Sequence, residues 1–185
     1  IIPDNKLTIS FIDVGQGDSM LIQTPSRKTI LIDGGGSETG SFNVGEKTVI
    51  PYLLDKGIMS IDYMIFSHFD SDHCQGLLSV MEKLKVKNAV ISNQGEKSNN
   101  YIQFLKIAKA RNVKVISVRA GDRITIDKEC YLSILFPKQE LIKENVLNNN
   151  SLVAKFIYQP KPGKELSILL TGDIEKIAEK QLIQM

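Results

Sequence analysis

The chain has 185 residues, a length that suits one compact domain with a sizeable core, and its 42% hydrophobic and 24% charged content is ordinary for a globular protein. A net charge of +2 excludes a strong whole-molecule field toward nucleic acid or membrane, so an anionic substrate would need local cations or bound metal. Two cysteines exclude a disulfide scaffold, and no apolar run approaches the ~20 residues needed to span a bilayer.

Taken in chain order, short apolar or alternating runs at 7–12, 20–23 and 29–32 are separated by turn chemistry, and this predicts an antiparallel meander. Gly34-Gly35-Gly36 opens what reads as a flexible loop reaching Asn43. Helical spacing follows over 46–56, with Pro51 placing the start near it and Gly57 as the stop. A buried strand at 63–66 leads into a polar loop, followed by a helix over 77–84, a strand at 89–92, a helix over 101–111 and a strand at 113–118. Runs at 123–126, 131–136, 152–158 and 166–170 predict a second meander, and 174–183 predicts a closing helix with Glu175 near its start. The pattern is α/β (α+β): two packed sheets covered by helices, with the chemistry on one rim. No linker divides residues 1–185, which read as a single domain. An opening at Ile1-Ile2-Pro3 without Met or signal-like features reads as a piece excised from a longer protein.

The chemistry concentrates in His68-Phe69-Asp70-Ser71-Asp72-His73, which holds both histidines of the chain. Imidazole nitrogens and ionised carboxylates at the end of a strand can hold and bridge two cations. His68, Asp70, Asp72 and His73 are therefore the first candidate ligands, against the plainer reading of an acidic turn with incidental histidines. The donor set is oxygen-rich, which favours Mn²⁺ or Mg²⁺ more than an all-histidine site would, with Zn²⁺ as an alternative. Thr171-Gly172-Asp173 repeats the pattern, an apolar strand then an exposed carboxylate; alone, Asp173 would read as the cap of the last helix. Asp13 and Asp18 flank a two-glycine turn, and Asp33 ends a strand; each could turn toward a site or serve its own loop. Asn148 and Ser151, in Asn148-Asn149-Asn150-Ser151, could orient a phosphate or water, or simply bond their own turn. Cys74 reads as a small core side chain. The lysines at 83, 85, 87, 97, 106, 109 and 114 read as a solvated surface.

Together these stretches resemble the metallo-β-lactamase superfamily, and within it the ComEC-type hydrolase domains of DNA-uptake competence proteins. The likeness is carried by Phe11-Ile12-Asp13-Val14-Gly15-Gln16-Gly17-Asp18-Ser19, Leu31-Ile32-Asp33-Gly34-Gly35, Ser67 through His73, Asn148 through Val153, and Leu169 through Glu175. Asp70 stands where the superfamily usually has a second histidine, as is typical of that branch. The resemblance implies an αββα sandwich, incomplete at its C-terminal side because the family continues past Thr171-Gly172-Asp173 into a further strand and a histidine motif. It implies two divalent ions, Mn²⁺ or Zn²⁺ with Mg²⁺ as an option. His68 and Asp70 would hold one, Asp72 and His73 the other, and Asp173 would bridge them, with Asp72 also handling a proton. Asp13, Asp18, Asp33, Asn148 and Ser151 would support substrate or ligands. The implied activity is phosphodiester hydrolysis of single-stranded DNA by a soluble domain on the extracytoplasmic side of a bacterial membrane protein, beside its channel domain. A hydrolase of small phosphoesters or other esters, and a silent DNA-binding or scaffold module, are the alternatives.

Overall fold

A computed structural model of the chain describes residues 6–37, 42–93 and 98–184. Ten strands form two sheets. In the first, β1 (Thr8–Phe11), β2 (Met20–Gln23) and β3 (Thr29–Ile32) pair antiparallel, and β4 (Ser60–Ile65), β5 (Lys85–Ser92) and β6 (Lys114–Val118) continue the sheet in parallel. The second is an antiparallel meander of β7 (Arg123–Thr125), β8 (Cys130–Phe136), β9 (Val153–Lys161) and β10 (Lys164–Leu170). Both meanders match the sequence expectation.

The parallel strands are buried on both faces, which is why 63–66 and 89–91 read as continuous apolar runs. One face packs Ile30, Ile32, Ile65 and Val90 against Leu132, Ile134, Ala154 and Phe156 of the second sheet. The other face is covered by α1 (Ile50–Asp55), α2 (Ser71–Lys83) and α3 (Asn99–Ala110), whose Leu53, Leu77, Met81 and Phe104 join Leu31, Met64 and Phe66. A short α4 (Val146–Asn149) precedes β9, and α5 (Lys176–Ile183) buries Ala178 against Phe136, Ile142 and Val153. The layers run helix, sheet, sheet, helix. Among the described residues no helix is long and apolar enough to cross a membrane.

Three expectations change. The helix after β4 starts at Ser71 rather than Leu77, so Asp72 and His73 sit on its first turn and not in a loop. Gly34, Gly35 and Gly36 are buried packing residues, not flexible; residues 38–41 of that expected loop lie outside the described residues. A π-helical turn over Gly45–Val49 runs directly into α1, so the helix begins ahead of Pro51, whose missing N–H falls at the junction between the π and α turns.

Candidate metal centre

The site forms where β3, β4 and β10 end on one rim and α2 begins. Leaving β3, Asp33 takes a left-handed backbone (φ 51°), which Asp tolerates better than most residues, and its amide extends the ladder to the Ile65 carbonyl at 3.1 Å. The turn carries its carboxylate into the interior, where Asp33 is 2% exposed. There it accepts from the Ser67 amide at 2.9 Å, from Ser67 Oγ at 2.6 Å and from His73 Nδ1 at 3.0 Å.

These bonds set the histidine tautomers. A carboxylate only accepts, so His73 Nδ1 carries the proton that faces Asp33. Ser67 Oγ spends its proton on Asp33 and accepts from His68 Nδ1 at 2.9 Å. One buried carboxylate thus turns Nε2 of both imidazoles toward the rim, directly for His73 and through a hydroxyl for His68, as in the carboxylate–histidine pairs that support metal ligands. The rings lie 4.3 Å apart.

Asp173 completes the cluster. Gly172 has φ 53°, and a Cβ there would lie 2.8 Å from Ser67 Cβ and 3.0 Å from Ser151 Cβ, so only glycine lets β10 turn this close to β4 and β9. Asp173 Oδ2 then sits 3.2 Å from His73 Nε2. It does not cap α5; Glu175 occupies that position. His68, His73 and Asp173 each offer one ligand atom within 4.8 Å of the others.

Of the other expected ligands, Asp70 stands at the N-cap of α2 without making a side-chain cap bond, and its Oδ2 lies 3.5 Å from His68 Nε2. Asp72 is half-buried on the first turn of α2 and lies outside the three-residue cluster. Asp13 is exposed and bonds the Gly15 amide of its own turn at 3.2 Å. Asp18 lines a cleft of about 190 Å³ that also touches Phe11, Asp33, Leu169 and Gly172. Asn148 Oδ1 and Ser151 Oγ are buried and unbonded, whereas Asn149 and Asn150 are fully engaged in holding the 142–150 turn. Cys74 is buried, and burial with the nearby Asp33 and Asp70 carboxylates holds its thiol well above the ordinary range, as a core side chain.

Two supporting residues escaped the sequence reading. Ser67 was visible only as the neighbour of His68. Asn100, in the first turn of α3, donates to the Phe69 carbonyl at 2.9 Å and to Ser71 Oγ at 3.3 Å, clamping the segment between the histidines. Nothing local in the sequence marks it.

The electrostatics favour positive charge at this point. Burial alone would lower the His73 imidazole, but the hydrogen bonds it donates to Asp173 and Asp33, with their charges, raise it to about 10. The His73 bond in turn holds Asp173 below the usual carboxylate range, against its partial burial. Among the described residues His68 Nε2 is buried without a hydrogen-bond partner, and its lone pair faces the Asp70 carboxylate. Two acceptors facing each other with no donor between them is an arrangement that a cation satisfies. The residues fit a divalent metal.

The metallo-beta-lactamase superfamily model matches residues 12–134, two-thirds of the chain. The chain belongs to that superfamily. Among curated proteins, ComE operon protein 3 of Bacillus subtilis is 33% identical over 96% of this chain, and Competence protein ComA of Neisseria gonorrhoeae is 30% identical over 43%. The alignments span 23% and 11% of those proteins, so the chain corresponds to less than a quarter of the relatives it matches. Among solved structures, CmlA, a diiron beta-hydroxylase from Streptomyces venezuelae, superposes with a TM-score of 0.56 at 13% identity, covering 99% of this chain and 33% of CmlA. That likeness speaks for the fold alone, since one fold carries many chemistries.

Proposed function

We propose that the chain is the hydrolase domain of a competence protein and cleaves phosphodiester bonds of single-stranded DNA with divalent metal. The observation that carries this reading is the meeting of His68, His73 and Asp173 on one rim, with both Nε2 atoms aimed there by Asp33 and Ser67. The competence relatives support the choice of DNA among phosphodiesters.

His68, His73 and Asp173 would hold cation, with Asp70 beside His68 as a further ligand and Asp72 on the adjoining turn. Bound there, a divalent ion would supply Lewis acidity and an acidified water at neutral pH. The protein's share is positioning. Asp33 fixes both rings with Nε2 toward the rim, and its charge with that of Asp173 favours a proton on His73 Nε2 whose place a cation would take. Asn100 holds the segment that connects the histidines, and Gly172 allows Asp173 to come from the opposite sheet. The cleft beside Asp33 gives the substrate an approach. Phe11, 76% exposed at its mouth, offers a face on which a base can stack. Asp72, partly open to solvent, suits proton transfer to or from the reacting water. Ser151 Oγ and Asn148 Oδ1 remain available for substrate or an ordered water.

The test is Mn²⁺-dependent cleavage of a labelled single-stranded oligonucleotide, run beside a small chromogenic phosphodiester and with His73→Ala and Asp173→Ala as controls. Cleavage of the oligonucleotide, lost in both variants, is the expected result. Turnover of the small diester alone would move the activity to small phosphoesters. Mn²⁺ binding without turnover of either would leave a binding module.

A further inference from the structure

Basic charge in this chain is gathered, although the total is nearly balanced. Residues 83–114 hold eight Lys or Arg and one acidic residue, Glu96, so this stretch carries +7 while the whole chain carries +2 and the remainder −5. In the fold, six of the eight come to one place. Because β3 to β6 run parallel, their starting ends share one rim, and the helices α2 and α3 finish there. Lys83 ends α2, Lys85 and Lys87 open β5, Lys109 and Arg111 end α3, and Lys114 opens β6 opposite Asn88 of β5. All six are exposed.

Between them lies a cleft of about 510 Å³ walled by Lys85, Lys87 and Arg111 over Leu84, Val86 and Ala110. Facing acids are few and already engaged. Asp62 is held by Lys87 at 2.7 Å and Lys28 at 3.6 Å, and Glu46 lies 3.6 Å from Lys83. Both helix C-termini at this rim add partial negative charge, which accounts for one or two cations and not six. Lys83 and Lys87 are ion-paired and Arg111 Nη2 donates to the Leu84 carbonyl at 3.5 Å, while Lys85, Lys109 and Lys114 have no ion pair among the described residues; a polyanion would offset their repulsion.

We propose that this basic rim is a docking surface for a nucleic-acid phosphate backbone, separate from the metal cluster at the opposite ends of the same strands. The proposal rests on the DNA-cleaving reading above and extends it. Six residues of β4 at ~3.3 Å each set the two rims about 20 Å apart through the core, so a strand passing over the outside of the domain must be longer than that span to reach both. A long strand would be anchored on the basic rim while its scissile bond lies at the metal. A substrate of one or two nucleotides would use the metal rim alone.

The test combines two readouts on Lys85→Glu/Lys109→Glu/Lys114→Glu and a control with the same charge change elsewhere, Lys128→Glu/Lys143→Glu/Lys161→Glu. Binding of a fluorescent oligothymidylate of about 20 nucleotides is followed by anisotropy in EDTA across a salt series, so that cleavage plays no part. The rim variant is expected to bind about tenfold or more weaker than wild type, with a salt slope reduced by about two, at ~0.7 per phosphate contact on a single strand, while the control changes little. Equal losses in the two variants, or undiminished binding by the rim variant, would overturn the proposal. So would loss of binding only to vesicles containing phosphatidylserine, which would make the rim a membrane contact. Matching circular dichroism spectra and unfolding midpoints of wild type and rim variant check folding of the variant without reference to cleavage. Failure of the nuclease reading would appear as absent cleavage in every form, independently of the binding curves.

Discussion

At the scale of single residues, the site is organised by Asp33, a carboxylate that touches no substrate. Its bonds to His73 and, through Ser67, to His68 decide which nitrogen of each ring is free. Replacing Asp33 by Asn puts an N–H donor where both partners need an acceptor, and it should weaken Mn²⁺ binding about 10- to 100-fold in titration calorimetry. Ser67→Ala should do less, because only His68 loses its partner. An unchanged affinity in Asp33→Asn would remove Asp33 from the site. The three residues of the cluster stood out in the sequence because metal ligands are chemically restricted types: His68 and His73 by their short spacing, Asp173 by its place at a strand end. The support was not legible: Asn100 lies 27 positions beyond His73, and the bond that makes it useful goes to a backbone carbonyl, which leaves no trace in residue identity.

At the scale of elements, α2 is pinned to the end of β3 by backbone contact. The Gly34 amide donates to the His73 carbonyl at 2.8 Å and the Gly76 amide to the Gly35 carbonyl at 3.0 Å. A Cβ on Gly76 would lie 1.9 Å from the Gly34 carbonyl oxygen. By helix propensity alone Gly76→Ala should stabilise α2 by about 1 kcal/mol. The clash should dominate instead and cost about 1–3 kcal/mol, as overpacking does, measured by urea unfolding. A net gain would show that α2 is free to shift. This contact explains why the glycine triplet looked flexible in the sequence: the partner that demands it is 40 residues away. The start of α2 was missed because Ser71-Asp72-His73 has no apolar periodicity, although Asp70 and an acidic first turn are a helix-start signal. A second junction, β3 to β4, depends on Asp62, which accepts from the Thr29 amide at 3.0 Å and from Lys87 Nζ at 2.7 Å. Burial would raise its carboxyl, but Lys87, Thr29 and Lys28 outweigh that and hold it below the ordinary range. Asp62 therefore contributes stability that is present above its unfolded value of about 3.9 and is lost as pH falls through the lower folded value. Wild type should exceed Asp62→Asn in thermal stability at pH 6, and the gap should narrow as pH falls below about 4 and close only below the depressed folded value. A gap that persists there would mean the charge is not what Asp62 contributes.

At the scale of the whole molecule, the two sheets meet at the candidate metal centre: His68 and His73 follow β4 of the first, and Asp173 follows β10 of the second. A cation there ties the sheets together and binds only the folded chain. At a hundredfold excess over its dissociation constant it should add about 2.7 kcal/mol, or roughly 5–10 °C in unfolding midpoint for a domain of this size. Asp173→Ala should lose most of that shift, and an equal shift in both proteins would place the ion elsewhere. The sandwich itself was legible because alternating and continuous apolar runs distinguish half-buried from fully buried strands. The basic rim was not, since lysines on four elements look scattered until parallel strands align their starting ends. The most direct test of the central claim is anomalous diffraction from crystals grown with Mn²⁺. The account predicts a peak within coordination distance of His68 Nε2, His73 Nε2 and the Asp173 carboxylate. A peak away from this cluster, or none at saturating Mn²⁺, would contradict it.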